Sequence, residues 1–269
     1  MMLRSNLHTH TTFCDGKNTP EEMAHAAAQK GFASLGFSGH SPAREDDSAM
    51  TDVLGYQKEI ARLKDLYAGR MAVYAGIEQD YLTKDVGPGY DYRIGSVHCL
   101  EKDGVLYPVD YSRGRFEESL RAGFNGDALA FAKLYFETVD RMITELKPDV
   151  IGHFDLVRKF NAGNAFFDED GPAYRRMAEE ALRPHARDGI FEVNTGVIFR
   201  GYRDAPYPAF WLLKLLREEN AHITITSDAH SAEGLDSGFT QARQLAREAG
   251  FESVWQLSPD GGGLREYPL

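Results

Sequence analysis

With 269 residues, 42% of them apolar and 26% charged, the chain is long enough for a full hydrophobic core and lies far from disordered or collagen-like compositions. Its 30 basic residues against 41 acidic ones leave a formal charge of −11, and no basic run offers a track for nucleic-acid phosphates. Cys14 and Cys99 are far apart and lack C-x-x-C spacing, which excludes a disulfide framework or zinc ribbon, and no apolar run approaches the roughly 20 residues of a membrane span.

In chain order, the stretch Met1 to His10 lacks the apolar region of a secretory signal, so a cytoplasmic protein with reduced thiols is expected. Short β-prone runs then alternate with amphipathic stretches, the rhythm of repeated β/α units in one domain over 1–269. Leu3 to Leu7 reads as a strand, followed by a helix over Pro20 to Lys30 with Thr19 as its cap and proline at its first position. Strand Leu35 to Ser38 precedes helix Val53 to Tyr67, and strands Ala72 to Ile77 and Arg93 to Val97 come next. Between Glu101 and Gly126 the chain is polar and aromatic, longer than an ordinary connection, and reads as a lid or a peripheral insertion. Helix Asp127 to Glu145, strand Val150 to Phe154, helix Tyr174 to Arg187 and strand Ile190 to Val193 follow. The pattern finishes with helix Ala209 to Glu219, strand His222 to Thr226 and helix Thr240 to Ala249. Gly31, Gly189 and Gly250 are expected as left-handed helix caps, and Gly261 to Gly263 as a turn before a loose tail.

Ionisable residues fall at the ends of these strands. His8 and His10 end the first run, His40 follows the second, Glu78 ends the third, His98 the fourth, His153 the fifth, and Asp228 and His230 follow the seventh. In a parallel barrel such positions converge on one face, where active sites form. Imidazole and carboxylate together suit zinc, manganese or iron, and a carboxylate such as Glu78 can bridge two cations. Singly, each of these residues has a plainer reading: a core histidine for His98 and His153, a turn former for Asp15 before Gly16. Their shared placement outweighs that. His25, His185 and His222 read as structural, two on outer helices and one at the wrong end of a strand.

The segments His8-Thr9-His10-Thr11, Gly36-Phe37-Ser38-Gly39-His40, Gly76-Ile77-Glu78, Gly95-Ser96-Val97-His98, Ile151-Gly152-His153-Phe154-Asp155 and Thr226-Ser227-Asp228-Ala229-His230 resemble the polymerase and histidinol phosphatase (PHP) family. Glu192-Val193-Asn194-Thr195, Arg200 and the stretch Tyr107 to Tyr111 resemble its histidinol-phosphatase branch most. The resemblance implies an α/β protein with a distorted (β/α)7 TIM-like barrel and two to three divalent metal ions. His8, His10, Glu78 and Asp228 would hold one ion, Glu78, His98 and His153 a second, and Asp15, His40 and His230 a third. Glu78, Asp228 and His230 would be catalytic, and Arg158 and Arg200 would bind phosphate. The implied reaction is hydrolysis of a small phosphomonoester, L-histidinol phosphate foremost, by a metal-bridged hydroxide, with neither nucleic acid nor membrane as partner. Another phosphoester or phosphoprotein substrate, or a non-catalytic metal-binding scaffold, remain the alternatives.

Overall fold

The computed structural model describes residues 4–43 and 48–269; Leu3, the expected start of the first strand, lies outside the described residues. The first half of the chain forms β1 (Ser5–Asn6), α1 (Pro20–Gln29), β2 (Ser34–Phe37), α2 (Val53–Leu66), β3 (Ala72–Asp80), β4 (Tyr92–Ser96), β5 (Cys99–Lys102), β6 (Val105–Pro108), α3 (Arg113–Phe124) and α4 (Ala128–Leu146). The second half forms β7 (Val150–Ile151), α5 (Pro172–Ala186), β8 (Ile190–Asn194), α6 (Gly196–Phe199), α7 (Phe210–Glu218), β9 (His222–Thr226), α8 (Phe239–Glu248), β10 (Ser253–Leu257) and β11 (Leu264–Pro268). Among the described residues, no helix is long and apolar enough to cross a membrane.

Seven strands pair in the order β1-β2-β3-β4-β7-β8-β9, all parallel. The circle is nearly closed by a bridge from Thr9 to Ala229, where His10 N donates to Ala229 O at 2.8 Å. Parallel neighbours need long crossover connections, and here most of them run through helices, while β3 and β4 are joined by residues 81–91 without one. Thr19 caps α1 in a reciprocal box: its hydroxyl accepts from Glu22 N at 3.2 Å while Glu22 Oε2 accepts from Thr19 N at 2.8 Å. In α4 the apolar stripe Phe131, Tyr135, Val139, Met142 and Leu146 is buried against the sheet and α5, where each such side chain contributes about 1.5–3 kcal/mol.

Leu7, Tyr74, Tyr92, Ile94, Val150 and Leu257 form a separate apolar cluster within the strands. Tyr92 donates its hydroxyl to Leu7 O, and glycine at 36 and 76 makes room for its ring. A Cβ at Gly36 would stand 2.2 Å from Tyr92 Oη, and one at Gly76 2.2 Å from Tyr92 Cζ. This packed plug leaves polar side chains to the opposite, C-terminal ends of the strands.

The segment from 101 to 126, to which the sequence assigned no elements, holds a hairpin and a helix: β5 and β6 pair antiparallel across Asp103-Gly104, both with positive φ, and α3 buries Phe116, Leu120 and Phe124 in the main core. Several other details differ from the sequence expectations. The C-terminal stretch is not a loose tail, since β11 pairs along its whole length with β10. Gly31 and Gly250 adopt the left-handed conformation, but Gly189 does not; it is small because a Cβ would stand 2.6 Å from His185 O. Glu78 lies inside β3 rather than at its end, because β3 continues to Asp80 in register with Ser96.

Candidate metal centre

The short β1 hands over to Leu7–His10, where alternation places His8 and His10 on one side of the backbone while Thr9 makes the closing bridge. Asp15 arrives on a turn in which Cys14 N and Gly16 N both donate to Thr11 O. His40 follows β2 and pairs with Glu78 in a parallel bridge; His98 follows β4, His153 follows β7, and Asp228 and His230 follow β9. All of these expected ligands converge. Asp228 has a φ of 46°, a left-handed setting that costs a non-glycine residue about 1–2 kcal/mol and is concentrated at functional sites.

Glu78, 1% exposed, stands at the centre. Its Oε2 lies 3.3 Å from His8 Nε2, 3.4 Å from His10 Nε2 and 3.0 Å from His40 Nδ1. Its Oε1 lies 2.9 Å from His153 Nε2, 3.2 Å from His98 Nε2 and 2.7 Å from Ser96 Oγ. Asp228 Oδ1 is 3.6 Å from His8 Nε2 and 3.2 Å from His10 Nε2. Toward solvent, Asp15 reaches His10 Nδ1 at 3.4 Å, His40 Nε2 at 3.7 Å and His230 Nε2 at 3.2 Å. Donor atoms within 4.8 Å of one another group as His10, Asp15, His40 and His230; as His8, His10 and Glu78; and as His40, Glu78 and His98. These overlapping groups share His10, His40 and Glu78.

The donor set fits divalent cations. His8 Nε2, His10 Nε2 and Glu78 Oε2 are buried and make no hydrogen bond, although an unsatisfied buried polar atom costs about 1–3 kcal/mol. Bound cations would satisfy all three. The electrostatics agree: burial would raise the Glu78 carboxyl, but His8, His98 and His40 hold it well below the usual carboxylate range. Burial would likewise raise Asp228, which Arg200 and His8 keep well below it.

Glu192, which the sequence offered only as part of a family-like segment, turns out to organise the centre from behind. Fully buried in β8, it accepts from His8 Nδ1 at 2.5 Å, from His153 N at 2.7 Å and from Thr226 Oγ1 at 2.6 Å. A carboxylate that accepts a hydrogen bond from Nδ1–H keeps the proton on that nitrogen and leaves Nε2 as the inward lone pair. Asp80 serves His98 in the same way, with Oδ2 at 3.3 Å from Nδ1 and 2.9 Å from the backbone N. Glu192→Gln should therefore keep the fold but weaken metal affinity or turnover about 10- to 100-fold. Metal titration of the variant beside the parent checks this, and equal affinities with equal rates would remove Glu192 from the site.

The two expected phosphate-binding arginines have different surroundings. Arg200 follows α6, donates through Nη2 to Asp228 Oδ2 at 2.8 Å and through Nη1 to Asp228 O at 3.0 Å, and stays 27% exposed. Arg158 is 4% exposed, with Nε 3.5 Å from Asp155 Oδ2 and Nη1 3.5 Å from Glu169 Oε2. Beside it, Lys159 donates to Asp110 Oδ2 at 3.0 Å and to Asp110 O at 2.8 Å. Burial would lift the Asp110 carboxyl, but Lys159 and then His98 draw it down to about 2. The structural histidines lie apart from the ligands: His25 bonds Gln29, His185 bonds Asp140, and His222 packs on Trp255.

Comparison with known proteins gives the family and the likeness of fold. A model of the PHP domain matches residues 6–196. The histidinol-phosphatase of Bacillus subtilis is 28% identical over 257 residues, 86% of this chain and 95% of the relative. A Schizosaccharomyces pombe protein named "Probable histidinol-phosphatase" is 28% identical over 283 residues, 95% of this chain and 90% of its own length. Among solved structures, a histidinol phosphate phosphatase from Lactococcus lactis, in complex with zinc, L-histidinol and phosphate, is 18% identical with a TM-score of 0.73. It covers 98% of this chain and 100% of its own, a likeness of fold.

Proposed function

Because the chain belongs to the PHP domain family, we propose that it hydrolyses L-histidinol phosphate to L-histidinol and phosphate, with two to three divalent ions of zinc, manganese or iron. The observation that carries the hydrolase is the convergence of buried histidine and carboxylate atoms without hydrogen bonds at the strand ends. The choice of substrate is supported by what the relatives are called and by the ligands of the Lactococcus lactis protein.

His8, His10, Glu78 and Asp228 would hold one ion, Glu78, His98 and His153 a second, and Asp15, His40 and His230 a third. When bound, the cations neutralise phosphoryl oxygens and lower the pKa of a water toward about 7, which supplies a nucleophile at neutral pH. The protein's own part is positioning. Arg200 has an Nε without a hydrogen bond and partial exposure beside Asp228, which suits it to the equatorial phosphoryl oxygens. Arg158 also carries an Nε without a hydrogen bond, 5.8 Å from the Tyr207 ring to its guanidinium carbon, and is proposed as the deeper second contact. Glu78 and Asp228 fix the reacting centre. His230, 24% exposed with Nε2 3.2 Å from Asp15 Oδ2, would complete the third ligand group on the solvent side of the centre, where the leaving oxygen departs. The test is phosphate release from L-histidinol phosphate beside other small monoesters: a selective rate on histidinol phosphate supports the reading, and turnover confined to other esters rejects the substrate.

Metal removal has a pH signature. Burial alone would depress His8, yet Glu192, Glu78 and Asp228 push it up to about 10; burial opposes and Glu78 supports a rise of His40 to about 9. Both folded values lie above the ordinary 6.5, so their contribution to the metal-stripped protein is complete below about pH 6.5 and disappears as pH rises through 9 to 10. The melting temperature of chelated protein should fall across that window. Loading metal at pH 7 should release protons, because ligating imidazoles must be neutral. Calorimetry in buffers of different ionisation heat reads the release, and a buffer-independent heat would contradict it.

A further inference from the structure

The mouth of the centre carries a feature that metal binding does not use. Val109 N donates to His98 O at 2.8 Å, so the next residue, Asp110, stands directly beside a metal-ligand segment. Lys159 ties Asp110 down at both its side chain and its carbonyl. The same ammonium lies 5.0 Å from the centre of the Tyr202 ring, and Phe160 meets that ring edge-on at 5.6 Å. Tyr202 is two residues from Arg200, which is bonded to Asp228. Asp110, Lys159 and Tyr202 thus form an arc joined to the ligand set at both ends, and it opens to solvent: Asp110 is 23% and Tyr202 43% exposed.

Other carboxylates around the centre are already committed. Asp80 serves His98, Asp155 accepts from Ala209 N, and Glu169 is held by Arg203 through both oxygens. Asp110 is different, because a carboxylate accepts several donors and one bond from Lys159 at Oδ2 does not saturate it. The proposed substrate carries a primary ammonium three bonds from its ester oxygen, so a phosphoryl group seated at the cations brings that ammonium to the rim of the centre. Taking that substrate reading as its basis, we propose that Asp110 recognises the ammonium of an amino-alcohol phosphate, with Lys159 and Tyr202 as positioning residues that hold its carboxylate in place.

The test compares L-histidinol phosphate with its des-amino analogue, 3-(imidazol-4-yl)propyl phosphate, on metal-loaded parent, Asp110→Asn and Lys159→Met. In the parent, the amine should be worth about 10- to 100-fold in kcat/KM, the range of a charge-assisted hydrogen bond. In Asp110→Asn that advantage should vanish while the rate on the des-amino analogue and the metal content stay near the parent's. Lys159→Met should lower the amine's advantage without abolishing it. Calorimetric binding of L-histidinol gives a readout independent of turnover, and Asp110→Asn should weaken it by the same factor. If the variants lose equally on both substrates, Asp110 and Lys159 act on the phosphate or the fold and the inference is overturned, with the substrate reading intact. If the parent itself does not prefer the amine-bearing ester, the substrate reading falls and takes the inference with it.

Discussion

Glu78→Gln should cut phosphate release about 1000-fold or more, well beyond the roughly 10- to 100-fold that loss of an outer partner costs, and should lower bound metal at the same time. The amide keeps the shape of the side chain but removes the charge that faces His8, His10 and His40 through one oxygen and His98 and His153 through the other. An NH2 group directed at imidazole nitrogens would occupy a lone-pair position that a cation needs. Metal analysis of the purified variant beside its rate gives the answer. Full metal content with near-parental turnover would mean that Glu78 is a buried structural acid.

Arg200→Met should lower kcat/KM about 100- to 1000-fold, the usual cost of removing one preorganised donor to a developing anion, while most of the metal is retained. Arg200→Lys should recover only part of that loss, because an ammonium restores the charge but not the planar fork that now binds Asp228 at two points. Arg158→Met should behave differently. With Asp155 and Glu169 left beside an uncharged, buried side chain, the variant should lose about 3–5 kcal/mol of stability as well as activity. Thermal melts and kinetics on the two variants separate these roles, and a destabilised Arg200→Met with normal turnover would reverse them.

All the ligands but Asp15 were legible in the sequence from a simple geometric rule: they lie at or near the C-terminal end of an apolar run, and parallel strands bring those ends together, whereas Asp15 arrives on a turn and was marked only by the family resemblance. The rule is blind to depth. Glu192 lies inside β8, where an acidic residue among Ile190, Phe191 and Val193 reads as an interruption of a strand; its meaning comes from His8, which is 184 positions away in the chain. Arg158 shows the converse limit, since nothing local in Leu156–Arg158 announces that Asp155 and Glu169 will enclose it. Some missed elements did carry signals. Asp103-Gly104 is a strong hairpin turn pair, and Phe116, Leu120 and Phe124 recur at helical spacing in α3. The abundance of charge around them made that stretch read as a lid or a peripheral insertion, with no elements assigned to it. β10 and β11 were hidden for another reason: Leu257 packs into the barrel cluster, but β11 is mostly polar and owes its order to pairing with β10.

The most direct measurement follows phosphate release from L-histidinol phosphate by one preparation: as purified, after chelation, and during stepwise return of zinc or manganese. Activity that disappears on chelation and returns in proportion to bound metal, reaching its plateau at two to three ions per chain, is the predicted result. Turnover that survives complete metal removal, or a fully metallated protein that releases no phosphate from this ester, would contradict it.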